Sequence, residues 1–165
     1  MRRREFILLL GGSAASPMLS SLALRAQQGE QVRRLAVLMG GAQNSGEQTY
    51  VDTLFVRLGE LGWKNGRNLR TDVRWWTGTP DQMRDVIGNM LASTPGVVVA
   101  YTNLALATLK PMVANLPVVF VAVGDPVGSG FVASLAHPGA NITGFASYDG
   151  PMGAKWLEIL SRAAL

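Results

Sequence analysis

Residues 95–123 read Pro95-Gly96-Val97-Val98-Val99-Ala100-Tyr101-Thr102-Asn103-Leu104-Ala105-Leu106-Ala107-Thr108-Leu109-Lys110-Pro111-Met112-Val113-Ala114-Asn115-Leu116-Pro117-Val118-Val119-Phe120-Val121-Ala122-Val123. Two unbroken apolar runs, Val97 to Ala100 and Val118 to Val123, bracket a helical stretch from Leu104 to Val113. Short continuous runs of this kind suit strands buried on both faces. A strand, a helix and a second buried strand in succession imply parallel pairing through a right-handed crossover.

The same alternation extends in both directions. Upstream, Leu35-Ala36-Val37-Leu38-Met39 closes on Gly40-Gly41 as another buried strand. Val51, Leu54, Phe55, Leu58 and Leu61 then recur at helical spacing over Tyr50 to Leu61, which ends in Gly62. From Leu69 to Trp76, apolar and charged residues alternate as in a strand with one wet face. Thr79-Pro80-Asp81-Gln82 opens a helix with proline where the first turn tolerates it, and Met83, Val86, Ile87, Met90 and Leu91 form its buried stripe. Downstream, a glycine-rich loop follows Val123. A short helix is expected over Phe131 to Leu135, a fifth strand over Asn141 to Phe145, and a last helix from Met152 to Leu160. The fold class is therefore α/β: an open, doubly wound parallel sheet of about five strands with helices on both faces.

The N-terminus has a different character. Arg2, Arg3 and Arg4 precede a brief apolar run, then small residues, and Ala26 is followed by Gln27-Gln28. This is the layout of a secretory signal, and the run is too short for a membrane span. Arg3-Arg4, one intervening residue and Phe6-Ile7-Leu8 resemble the twin-arginine motif read by the exporter of folded proteins. Residues 1–26 are thus expected to be a signal peptide cut after Ala26, although Leu24 occupies a position where small residues are preferred. The formal charge of +4 (15 basic, 11 acidic) belongs mostly to this segment. Without Arg2, Arg3, Arg4, Arg25 and Glu5, 11 basic face 10 acidic residues, a net +1 that gives no reason to expect a nucleic-acid surface. At 48% hydrophobic and 16% charged residues, the chain can build a core. It contains no cysteine, which excludes disulfides, thiol catalysis and cysteine-bound metal.

In an open parallel sheet, ligands bind at the carboxyl ends of the strands. Here those ends are Gly40 to Gly46, Tyr101-Thr102-Asn103 and Gly124 to Gly130, all rich in residues that offer hydrogen bonds. Thr102 or Asn103 is placed to cap the third helix, and Tyr101 to stack on an apolar or aromatic ligand. Trp75 reads as core, with Trp76 toward the other face, and Trp63 and Trp156 read as packing residues. Gly128-Ser129-Gly130-Phe131-Val132-Ala133 fits a dinucleotide fingerprint, with Asp149 downstream, but follows the fourth strand and not the first. The first turn lacks that pattern and has no Lys-Ser/Thr. His137, the only histidine, sits in a His-Pro-Gly turn and reads as solvated. No carboxylate pair or histidine cluster calls for catalysis, a metal or a cofactor.

Several stretches together resemble the exported substrate-binding proteins of ABC transporters, in the group that includes tryptophan/tyrosine-type binding proteins. They are Met1 to Ile7, Arg33 to Met39, Leu58-Gly59-Glu60-Leu61-Gly62-Trp63 with Gly66-Arg67-Asn68, Val119-Phe120-Val121 leading into Gly124 to Val132, Pro138 to Phe145, and Met152 to Leu157. The most specific is Asp125-Pro126-Val127-Gly128-Ser129-Gly130-Phe131-Val132. The resemblance implies a two-lobed type I periplasmic-binding-protein fold, a small-molecule ligand, an ABC permease as partner and a periplasmic location. Carried over, the ligand-facing positions of the first lobe are Gly41 and Asn44, Thr102 and Asn103, and Asp125, with Tyr101 added from its place at a strand end.

The departure is length. Residues 27–150 are expected to form the first lobe and 151–165 the start of a helix leading to a second. One lobe alone is expected to bind ligand weakly or not at all, and its exposed inter-lobe surface to favour self-association. Two other readings stay open: a small exported α/β enzyme using a nucleotide or flavin through Gly124 to Gly130, and a fragment with no function of its own.

Overall fold

The computed structural model describes residues 32–148 and 150–163. The expected signal peptide lies outside them. Five parallel strands form one sheet in the order β2-β1-β3-β4-β5. They are β1 (Arg33–Met39), β2 (Leu69–Trp75), β3 (Val97–Tyr101), β4 (Val118–Gly124) and β5 (Ile142–Tyr148). The helices are α1 (Ser45–Glu60), α2 (Pro80–Ala92), α3 (Asn103–Leu109) and α4 (Gly150–Ala163), with a 3₁₀ turn at Lys110–Met112. The sheet is the open, doubly wound one expected from the sequence.

Alternation along β1 builds the two layers. Ala36 and Leu38 join Met83, Ile87 and Met90 of α2, Leu106 and Leu109 of α3, and Phe120 of β4 in the larger core. Leu35, Val37 and Met39 point the other way, to Val51 of α1, with Leu54, Phe55 and Leu58 packed against them. Each fully buried large apolar side chain in these layers, such as Leu38 or Phe120, contributes about 1.5–3 kcal/mol.

Helix ends depart from the apolar spacing for identifiable reasons. α1 starts at Ser45, five residues before Tyr50, because Asn44 Oδ1 accepts the Glu47 N–H at 3.0 Å and caps the earlier turn. α3 stops at Leu109 because Pro111 has no N–H to continue the ladder. No helix forms over Phe131 to Leu135, which corrects the expectation. Phe131 N and Val132 N both donate to Pro126 O, at 2.8 and 3.3 Å, and Ala133 N donates to Pro138 O, so these donors serve turns. β5 runs on to Tyr148, which pairs with Gly124.

Trp76 is buried in the larger core, whereas Trp75 packs partly buried on the opposite layer. Trp156 does not pack: it is 58% exposed, and the side chains of α4 from Met152 to Ala163 all face solvent. Trp63 is also exposed, at 37%. α1 covers β1 and β2 on its face of the sheet. Beyond it lies an open apolar groove of about 600 Å³ lined by Val99, Tyr101, Val119, Val121 and Phe145, the last 74% exposed. No helix among the described residues is long and apolar enough to cross a membrane.

Candidate functional site

The order β2-β1-β3-β4-β5 reverses direction between β1 and β3, the point at which open α/β sheets bind ligands. Three loops meet there and are bonded to one another. Gly40 N donates to Tyr101 O at 3.2 Å, joining the β1 and β3 ends. Thr102 N donates to Val121 O at 3.1 Å, and the Asn103 amide both donates to Gly124 O and accepts from Gly124 N at 2.8 Å, joining β3 to β4. Asp125 N donates to Tyr148 O at 2.9 Å, bringing in β5.

The six residues singled out from the sequence fall along this edge with different degrees of freedom. Gly41 lies beside the Glu47 carboxylate, where a side chain would meet its oxygens at 2.9 and 3.0 Å. Asn44 is engaged as the α1 cap, and its Nδ2 donates to Ala42 O at 3.2 Å. The Asn103 amide is committed to Gly124 at both ends and works as a strut. Asp125, at φ +42°, closes the following turn by accepting from Gly128 N at 2.9 Å through Oδ1 and from Ser129 N at 2.9 Å through its carbonyl. Thr102 stands in the N-cap position of α3 but makes no capping bond. Its backbone is at φ +84°, a strained value for a β-branched residue, and its Oγ1 is buried without a hydrogen-bond partner among the described residues. The Tyr101 ring leans on Tyr50, with centroids 5.8 Å apart at 33°. Burial raises the Tyr101 phenol above its ordinary pKa of 10.0, and Tyr50 and the Glu47 carboxylate add to the rise.

Two participants escaped the sequence reading. Trp76 N donates to Met39 O at 3.1 Å and to Gly41 O at 3.3 Å, pinning the Gly40-Gly41 turn from β2. Glu47 presents a buried Oε2 with no hydrogen-bond partner among the described residues. The sequence signal for Glu47 was its place three residues after Asn44, a spacing that suggests only helix capping. The dinucleotide-like stretch at Gly128 folds as tight turns, with Gly130 N on Val127 O and Phe131 N on Pro126 O. It lacks the helix N-terminus on which a pyrophosphate would rest. Among the described residues, no group of three or more side chains could hold a metal ion.

The model of the ABC transporter substrate binding protein family matches residues 44–159, well over half of the chain. The chain belongs to that family. Among curated relatives of this substrate-binding member is a tyrosine-binding protein of Clostridioides difficile (strain R20291), 24% identical over 91 residues, covering 55% of this chain and 26% of the relative. Among solved structures, a conserved domain protein from Vibrio cholerae O1 biovar El Tor superposes with a TM-score of 0.67 at 25% identity, over 76% of this chain and 42% of the other. An ABC domain in complex with L-Trp from Streptococcus pneumoniae gives a TM-score of 0.62 at 25% identity, over 69% and 38%. The chain therefore spans less than half the length of each of these relatives.

Proposed function

We propose that this protein is the non-catalytic solute-binding component of an ABC import system, capturing a small organic ligand at the switch-point edge, with amino acids as the first candidates. The observation that carries this reading is the family match, because residues 44–159 include the β3 and β4 loops and the Asn44 cap of the β1 loop. Tyrosine and tryptophan in the descriptions of two relatives make aromatic amino acids the first ligands to try. Met1 to Ala26 serves as a twin-arginine-type export signal, cleaved after Ala26, that delivers the folded chain to the periplasm. An ABC permease in the inner membrane is the partner that receives the ligand. The ligand-facing residues are those at the joined loops: Gly41, Asn44, Tyr101, Thr102, Asn103 and Asp125.

Protein-observed NMR of the isotope-labelled chain, titrated with each of the twenty amino acids, is the direct measurement. Saturable binding that shifts resonances of residues 40–47 and 101–103 supports the reading. A chain that binds none of the twenty overturns amino-acid capture.

A further inference from the structure

Glu47 is the third residue of α1. A cap residue and a glutamate three positions later commonly close a helix start from both sides, each side chain bonding the other's backbone N–H. α2 closes in this way through Thr79 and Gln82. α1 makes only the first half. Asn44 accepts the Glu47 N–H, while the Glu47 carboxylate turns against Gly41. An acidic side chain in a first turn does favour the helix dipole, but it has that effect when fully solvated and needs no burial. Oε2 of Glu47 is nonetheless buried, and a buried acceptor without a hydrogen bond is costly to keep. Thr102 Oγ1, the other buried and unpartnered oxygen of this edge, lies against the adjacent Gly40. Two oxygens, one charged, thus border consecutive glycines at the point where the sheet order reverses. A side chain at either glycine would run into them.

We infer that Glu47 is the charge-pairing residue of this site and receives a primary ammonium group of the ligand. An ammonium has three donors and no acceptor, which suits an acceptor-only carboxylate. A lone carboxylate is a poor metal site, and no other side chain joins it in a metal-binding group among the described residues. The Glu47 carboxylate is near enough to raise the Tyr101 phenol, and the Tyr101 ring with Tyr50 against it offers an apolar face for the remainder of the ligand. The assignment rests on the solute-binding reading and narrows it to amine-bearing solutes.

Three probes separate the two ideas on the full 165-residue chain by ligand-observed NMR: L-tryptophan, tryptamine and indole-3-propionate. Only the first two carry the ammonium. The expected result is that both amines bind and indole-3-propionate does not. Glu47→Gln should weaken both by about tenfold or more, as loss of a charge-assisted pair requires, and Glu47→Asp by less. Thermal melting of each variant shows whether the fold is kept. Unchanged amine binding by a folded Glu47→Gln variant overturns the assignment and leaves solute binding intact. Indole-3-propionate binding as well as tryptophan does the same. A wild-type chain that binds none of the three overturns the assignment, and one that also binds none of the twenty amino acids overturns amino-acid capture with it.

Discussion

At the residue scale, Tyr101 has a titration consequence. Its phenol is raised above 10.0, first by burial and then by Tyr50 and Glu47, so the folded state favours the protonated form. In the unfolded chain the proton leaves near pH 10.0. Above that pH the folded state therefore binds more protons than the unfolded one, and stability falls as pH rises. Below pH 10.0 this contribution is fully present. Tyr101→Phe should flatten the alkaline fall in urea midpoint between pH 9 and 12, with little change at pH 7. A fall as steep as that of wild type would assign the alkaline sensitivity to other groups. Tyr101 and Thr102 were legible in the sequence because a strand's carboxyl end is fixed once the strand is recognised. Glu47 was not, since its residue type and spacing fit helix capping and only three-dimensional placement turns it toward Gly41.

At the element scale, β4 and β5 meet at a point with no room to spare. Gly144 pairs with Phe120, and a Cβ added to Gly144 would run into the Phe120 backbone N and O and its ring. Phe120 is fully buried and has no direction in which to give way. Gly144→Ala should therefore destabilise by about 1–3 kcal/mol or more, as overpacking does, measured by chemical denaturation. A change below about 0.5 kcal/mol, the size of an ordinary surface substitution, would mean that β5 can slide or bend away. β1, β3 and β4 were readable as unbroken apolar runs and β2 as an alternation, and the parallel pairing of these four followed from the helices between them. The short helix expected over Phe131 to Leu135 is absent because Phe131, Val132 and Ala133 spend their backbone donors on turns. The start of α1 escaped for the converse reason, since its first turn carries polar residues and is set by the Asn44 cap.

At the scale of the whole molecule, two apolar surfaces stand open. One is the groove beside α1 over β3, β4 and β5, edged by Phe145. The other is α4, where Met152, Trp156, Leu157, Ile159 and Leu160 are all between 40% and 70% exposed. Exposed contiguous apolar area of this sort drives association. We propose that the chain self-associates through them. Sedimentation velocity should show a concentration-dependent shift to larger species, abolished by Trp156→Glu with Leu160→Lys. A chain that sediments as a single monomer at every concentration would dismiss this. The pairing rules and helix faces say which surfaces are apolar, but a sequence alone does not reveal which of them the fold leaves uncovered.

The strand order also dictates a sequence of events in time. β1 is the first strand synthesised, yet its two neighbours are β2 and β3, so its second partner appears only when residue 101 has been made. Every pairing in the sheet is parallel and spans a crossover, which places this chain among the slower-folding topologies. A nascent chain holds an apolar, half-paired strand from Leu35 to Met39 throughout that interval. Until residue 101 has been made, β1 cannot be paired along both of its edges, so this sheet closes late in synthesis.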